Sequence, residues 1–378
     1  MKKVLMLATV ASMIDKFNMD NIKLLEDIGC AVDVAANFDF GSITSDERVH
    51  EFRQELSERG NEVFNIPIPR KIIDLKNIIK SYKIIKNLCR TNKYEAIHCH
   101  SPIGGALGRL AARETRKKNG TKVIYTAHGF HFFKGAPLKN WLLYYPMEKF
   151  CAHFTDVLIT INKEDYNLAQ KAMKAKRVEY VPGVGIDLNK FGQVAVDKAE
   201  KRRELGIPDD VTLLLSVGEL NGNKNHETVI RAIANLNVYY VIAGKGGLQG
   251  HLQSVIDELG LTERVKFLGY RADIAELHKM ADIYVLPSIR EGLNVSIMEA
   301  MASGLPIACG QIRGNTDLIN EKGGIFFNPT SVSDCETAIK RIVNMDLTSM
   351  GKYNAFKIKK FSKEVIHGYM KKIYEDSI

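Results

Sequence analysis

Short apolar, β-rich runs alternate along this chain with longer stretches whose apolar positions recur at helical spacing. In the first half the runs are VLMLAT (4–9), VDVAAN (32–37), EAIHCH (95–100), KVIYTA (122–127) and VLITIN (157–162). In the second half they are TLLLSVG (212–218), VYYVIAG (238–244), VKFLG (265–269), IYVLPS (283–288) and PIACG (306–310). This rhythm predicts an α/β fold of repeated βαβ units with buried parallel sheets. Ligands of such sheets bind at the carboxyl ends of the strands, where loops lead into helices.

Between the halves, VPGVGIDLNKFGQ (181–193) breaks both periodicities with a Pro and clustered Gly, which places a hinge near Gly185. A chain of 378 residues is too long for one core to absorb comfortably. The expected division is a first domain over 1–184, a second over 185–351, and a terminal helix over 352–378 that packs back on the first.

Composition narrows the class. With 45% hydrophobic and 26% charged residues the chain is ordinarily globular. Its six cysteines are scattered without a C-x-x-C pair, so they read as buried thiols in a reducing compartment, and the cytoplasm fits best. The opening MKKVLMLATVASMIDKF is interrupted by Asp15 and Lys16, and its residues 3 to 9 read as a first buried strand rather than a signal peptide. No later run approaches the roughly 18 apolar residues of a membrane helix, so any membrane contact is expected to be peripheral. The net charge of +9 is concentrated in residues 70–93, which carry eight Lys or Arg against one Asp. An anionic membrane surface, nucleic acid and a plain solvated helix face would all suit it. Nucleic acid is set aside because no helix-turn-helix, zinc-finger spacing or RNA-binding aromatic pair appears.

Candidate chemistry concentrates in IYVLPSIREGLNVSIMEAMASGLPIA (283–308). A strand ending at Pro287, a Gly-containing loop and a helix starting near Asn294 would present free backbone N–H groups and a positive helix end, where a diphosphate can bind. Glu291 and Glu299 stand eight residues apart, about 12 Å if all of it were helical. That span suits a nucleotide sugar, with hexose hydroxyls at one carboxylate and ribose hydroxyls at the other. A helix-start charge and a solvated helix residue would give the same spacing. Lys224, after a strand and before a helix, can neutralise phosphate charge. Gly244 and Gly246 in VIAGKGGLQG suit either a tight turn or close approach of a ligand to the backbone. His128 of TAHGFH follows a strand, His98 and His100 lie on one face of another, and His131 is three residues on.

The E-x7-E spacing followed by EAMASGLP resembles the donor site of retaining glycosyltransferase family 4, which has the GT-B fold of two Rossmann-like domains facing across a cleft. The segments YTAHGFHFFKGAPLKNWLLYYPMEKF (125–150) and TDVLITINKEDY (155–166) resemble its bacterial exopolysaccharide and capsule branch. The resemblance implies an acceptor domain over 1–184 and a nucleotide-sugar donor domain over 185–351. His128, Lys224 and Glu291 would then be catalytic, with the donor also held by Gly244, Gly246, Tyr270, Arg271, Arg290, Gly292, Leu293, Asn294, Val295 and Glu299. Gly269 would lie with Tyr270 and Arg271 near the base, and His100 and His131 on the acceptor side. One departure stands out: where the family pairs its Lys with an Arg, this chain has Glu219, so Arg290 or Arg313 is the expected substitute cation.

No metal is expected, because the histidines lack a structural-zinc spacing and no Asp-x-Asp occurs. No cofactor is expected either, the nucleotide sugar being a substrate. The implied partners are a nucleotide diphosphate sugar, with uridine the base the family favours, a polyprenyl-diphosphate-linked saccharide, and the anionic inner face of the cell membrane. Two rivals remain. A catalytically inactive partner subunit would explain Glu219, and a nucleotide-sugar 2-epimerase would share the architecture but need acid and base carboxylates around the sugar.

Overall fold

The computed structural model describes residues 1–39 and 45–378. The chain divides into two compact units, Met1–Val184 with Glu364–Ile378, and Gly185–Lys363.

The first unit holds a seven-stranded sheet of β1 (Lys2–Val10), β2 (Cys30–Asn37), β3 (Val63–Asn65), β4 (Ala96–His100), β5 (Lys122–Ala127), β6 (Val157–Thr160) and β7 (Arg177–Tyr180). All pairings are parallel, in the order β3-β2-β1-β4-β5-β6-β7. The second unit repeats the plan with β8 (Thr212–Val217), β9 (Val238–Ala243), β10 (Val265–Gly269), β11 (Ile283–Leu286), β12 (Ile307–Gly310) and β13 (Gly324–Phe327), ordered β10-β9-β8-β11-β12-β13. Strand order reverses beside β1 in one sheet and beside β8 in the other, and such switch points open a crevice at the carboxyl edge. The buried runs of the sequence became these strands. The exceptions are β3, β7 and β13, which lie at sheet edges, where a short strand with only one neighbour needs no long apolar run.

Three helices cover one face of the first sheet: α1 (Leu75–Asn92), α2 (Pro102–Ala111) and α3 (Leu138–Ala152). The α2 helix lies unusually close, because a Cβ at Gly105 would stand 2.4 Å from the Tyr125 ring and one at Gly108 2.4 Å from Cys99 Sγ. Charge is buried under α3. Arg109 donates to Glu148 Oε2 at 2.8 Å, Tyr125 donates to Glu148 Oε1 at 3.0 Å, and the Arg109 guanidinium lies 3.9 Å from the Tyr125 ring centroid. The tail breaks at Ile358–Phe361 and resumes as a helix, Lys363–Glu375, that covers the opposite face. Its Ile366, Met370, Ile373 and Tyr374 pack with Val4, Met6, Ile124 and Val157.

Candidate active site

In the second unit the loops after adjacent β8 and β11 form one structure. The first runs from Gly218 to α4 (His226–Ala232), the second from Pro287 to α5 (Val295–Ala302). Asn223 stitches them together: its carbonyl accepts from Ile289 N–H at 2.9 Å and its Nδ2 donates to the Arg290 carbonyl at 2.9 Å. Asn221 Oδ1 accepts from Lys224 N–H at 3.0 Å, fixing the turn, and Lys224 Nζ then donates to Glu291 Oε1 at 2.7 Å. Asn294 caps α5 by accepting from Ile297 N–H at 3.0 Å. Ser296 Oγ ties the helix start to β8 by donating to the Val217 carbonyl at 3.1 Å.

Glu299 lies one turn into α5, half-buried, and its carboxyl has no hydrogen-bond or ionic partner among the described residues. Burial pushes its pKa up to about 7, against the opposing charge of Lys190. It is therefore not a freely solvated helix residue. Beside it the loop carries half-buried Gly292 and Val295 and buried Leu293. Gly314 packs on this loop, where its Cβ would be 2.4 Å from the Gly292 carbonyl oxygen, and neighbouring Arg313 is buried. Arg290 is exposed, as is Glu219.

The other donor-side candidates are more dispersed in what they touch. A Cβ at Gly244 would stand 1.9 Å from the Gly218 oxygen and one at Gly246 2.3 Å from the Leu220 oxygen, so both glycines let neighbouring backbone approach. Arg271 is held by Asp273 at 2.7 Å and lies 3.7 Å from Glu204, while Tyr270 is exposed. Sequence reasoning passed over His226, two residues beyond Lys224. Its Nδ1 lies 3.2 Å from the Tyr240 hydroxyl, which is 2.7 Å from Ser216 Oγ. Burial first, and Lys224 second, lower its pKa to about 4. No spacing rule flags a lone histidine there.

In the first unit, His100 Nδ1 lies 3.1 Å from His128 Nε2, and His100 Nε2 lies 3.2 Å from Met6 Sδ. His98 is committed elsewhere, with ring nitrogens 2.8 Å from the Tyr374 hydroxyl and 2.8 Å from Thr126 Oγ1. Burial lowers the pKa of His98 to about 3 and of His128 to about 4, and sets that of His100 well below the ordinary value. All three are neutral at pH 7. Among the described residues no group of three or more His, Cys, Asp or Glu is arranged to hold a metal. His131 is not part of this cluster: it stacks on Tyr144 with centroids 4.6 Å apart and lines a separate cavity of about 540 Å³. The loop after His128 is fixed by buried Asp165, whose Oδ2 accepts from Phe130 N–H at 2.8 Å and from Asn162 Nδ2 at 2.8 Å. The signal for Asp165 was present as the N-x-x-D cap of INKEDY, in which Asn162 accepts from Asp165 N–H at 2.8 Å.

Family models match both units: "Glycosyl transferase 4-like" over residues 3–162 and "Glycosyl transferases group 1" over residues 197–359. The putative glycosyltransferase EpsD of Bacillus subtilis is 38% identical over 327 residues, covering 85% of this chain and 81% of that protein. The chain belongs to the glycosyltransferases. A second relative of this glycosyltransferase is the Escherichia coli UDP-Gal:alpha-D-GlcNAc-diphosphoundecaprenol alpha-1,3-galactosyltransferase, 32% identical over 285 residues, 72% of this chain and 71% of that one. In three dimensions it resembles Anabaena Alr3699/HepE, solved in complex with UDP and glucose, at a TM-score of 0.76 and 17% identity over all of both chains. That likeness establishes the GT-B type of fold. On the second unit, two loops locked to each other carry an ammonium paired with Glu291, a capped helix start and the unpartnered carboxyl of Glu299. These groups can meet diphosphate charge and sugar hydroxyls without reorganising.

Proposed function

We propose that the glycosyltransferase moves a sugar from a UDP-sugar onto a saccharide carried by polyprenyl diphosphate, with retention of anomeric configuration and without a metal ion. The product would be a bacterial exopolysaccharide, capsule or related surface glycan, built at the cytoplasmic face of the membrane. The observation that carries this reading is Glu299, a desolvated carboxyl without a partner, eight residues beyond a Glu291 that is ion-paired to Lys224. The names of the relatives support the substrate classes: one acts on a diphosphoundecaprenol-linked sugar, and HepE is seen with UDP.

In this reading Lys224 and the N-terminus of α5 take the leaving diphosphate, and Arg290 or Arg313 supplies the second cation that Glu219 does not. Glu299 accepts from ribose hydroxyls and Glu291 from hexose hydroxyls, with Gly244, Gly246, Tyr270 and Arg271 beside the nucleotide. His128, neutral at pH 7, offers a ring N–H or lone pair to the transferring sugar, while the acceptor is met by His100 and His131. No covalent nucleophile is required, because the catalytic effect asked of the protein is stabilisation of charge on the departing diphosphate.

The test is nucleotide release from a panel of sugar nucleotides, incubated with pure protein and bacterial lipid extract in EDTA. Lipid-dependent release from one donor, lost in Lys224→Ala and Glu299→Ala, is the expected outcome. Dependence on an added divalent ion would remove the metal-free mechanism. Nucleotide binding without release from any donor would favour the inactive-partner alternative.

A further inference from the structure

Helix α3 is built inside out. Its charged Glu148 points into the protein against Arg109 and Tyr125, while Leu138, Leu142, Leu143 and Phe150 face outward. Across α2 from it, the run into α1 also leaves large apolar groups outward, Ile73, Leu75 and Ile79. These seven side chains are between 51% and 84% exposed, although large apolar groups gain by burial. A helix apolar on every side is normally enclosed; this one is enclosed on one side only. The two stretches meet at a cavity of about 540 Å³, walled by Arg70, Ile72, Ile73, Leu143 and Tyr144 and floored by Pro102 at the start of α2.

The charge around this rim is predominantly positive, with Glu164 beside Lys134 and Asp74 at the start of α1 as the acids. Lys76, Lys80 and Lys83 stand on the exposed face of α1, Arg70 and Lys71 precede it, Lys134 precedes α3, and Lys139 and Lys149 stand exposed on α3. The single acid in residues 70–93, Asp74, is engaged as the cap of α1, accepting from Asn77 N–H at 3.2 Å. Lysines are depleted where proteins bury surface against proteins. They are enriched where an apolar edge dips into lipid, because their stems lie in the acyl boundary and their ammonium groups reach the phosphates. No helix of the described residues is long and apolar enough to cross a bilayer.

We infer that the apolar rim formed by the first turns of α1 and α3, with its lysine border, docks on the surface of an anionic lipid bilayer. The cavity between them is where a lipid-borne acceptor leaves that surface. The second part rests on the function proposed above, and the first does not. Leu138, Leu142 and Leu143 enter the acyl boundary, Ile73, Leu75 and Ile79 enter beside them, and the lysines settle among headgroups. Arg70, at the cavity wall, meets the diphosphate of the acceptor as its chain passes between the two edges.

Sedimentation of the full chain with vesicles of phosphatidylglycerol or phosphatidylcholine tests the docking without any donor or acceptor. Binding to the anionic vesicles, weakened by salt, is expected. Leu142→Ser with Leu143→Ser should weaken partitioning at least tenfold or so, and Lys76→Ala and Lys80→Ala roughly fivefold each, only on the anionic vesicles. Ile73→Ser, on the other edge, is the second variant in case the first alters folding, and Phe356→Ser, exposed in the second unit, should change nothing. Absence of vesicle binding, or wild-type binding by both rim variants, overturns the docking surface and would point to a protein partner instead. For the acceptor, Leu138→Ser with Leu142→Ser, neither of which lines the cavity, should raise KM for acceptor embedded in vesicles and leave kcat on detergent-dispersed acceptor unchanged. Intact vesicle binding with no transfer to any lipid-borne acceptor would sink the functional reading alone.

Discussion

Glu299 changes charge near neutral pH. Its pKa is raised from 4.5 to about 7 by burial, so the group itself lowers folding stability as pH rises from about 4.5 to about 7 and has no further effect above that. In the role proposed above the ionised carboxylate is the stronger acceptor for two ribose hydroxyls, so uridine nucleotides should bind more tightly as pH rises from 6 to 8. Glu299→Gln should bind about tenfold or more weakly at pH 8 and lose the pH dependence, measured by calorimetric titration. A pH-dependent Glu299→Gln would mean that another group is responsible. The His100 and His128 pair makes a second case. A neutral His100 facing His128 Nε2 at 3.1 Å fixes the orientation and tautomer of the second ring. His100→Leu should reduce kcat about tenfold to a hundredfold with donor affinity unchanged, and His100→Asn, which keeps a polar atom near Nδ1, should recover most of it. Equal losses in both variants would reduce His100 to a packing role. At this scale the chain was legible where a motif ties residue type to spacing, as for Lys224, Glu291 and Glu299. The state of Glu299 was not, because desolvation depends on what packs around α5, and the histidine contact depends on two adjacent strands far apart in sequence.

Among elements, α3 shows why the inner side of a helix is not always legible in its sequence. LKNWLLYYPMEKF has apolar residues all round, so periodicity alone gives no inward face. The face is chosen by a long-range contact, Arg109 of α2 against Glu148, both buried. Glu148→Leu alone leaves a buried guanidinium unpaired and should cost about 3 to 5 kcal/mol, read from urea unfolding. Arg109→Met combined with Glu148→Leu should recover most of that loss, because two apolar groups of similar volume leave no unpaired charge. If the double variant is no better than the single one, the pair matters for more than mutual neutralisation, the likeliest physical alternative being its contact with Tyr125. The edge strands β3, β7 and β13 were hidden for a related reason: Arg177–Tyr180 alternates charged and apolar residues, which suits a half-buried edge and resembles a loop in sequence.

At the scale of the whole molecule, the chain closes its second unit at Lys363 and then returns to the first. The Lys363–Glu375 helix places Ile366, Met370, Ile373 and Tyr374 in the first unit's core, and Tyr374 also meets a ring nitrogen of buried His98. Full burial of such side chains contributes roughly 1.5 to 3 kcal/mol each. Four of them together approach the whole stability of a typical domain, about 5 to 15 kcal/mol. Acid should act on this unit through the same contact. His98 binds a proton with a pKa of about 3 when folded and 6.5 when not, so its contribution is present above 6.5 and lost as pH falls toward 3, at about 1.4 kcal/mol per pH unit. Ending the chain after Lys363 should therefore abolish the thermal transition of the first unit while leaving that of the second, as seen by scanning calorimetry. Retained nucleotide binding would show that the second unit, with the proposed donor site, survives the cut. Persistence of both transitions would make the returning helix an accessory strap on a face that Ile14, Ile22, Leu25, Val49, Phe52 and Leu56 also cover. Tyr374→Phe separates the two contributions, since it keeps the packing and leaves His98 without one partner. It should lower the first transition by an amount worth about 1 to 3 kcal/mol.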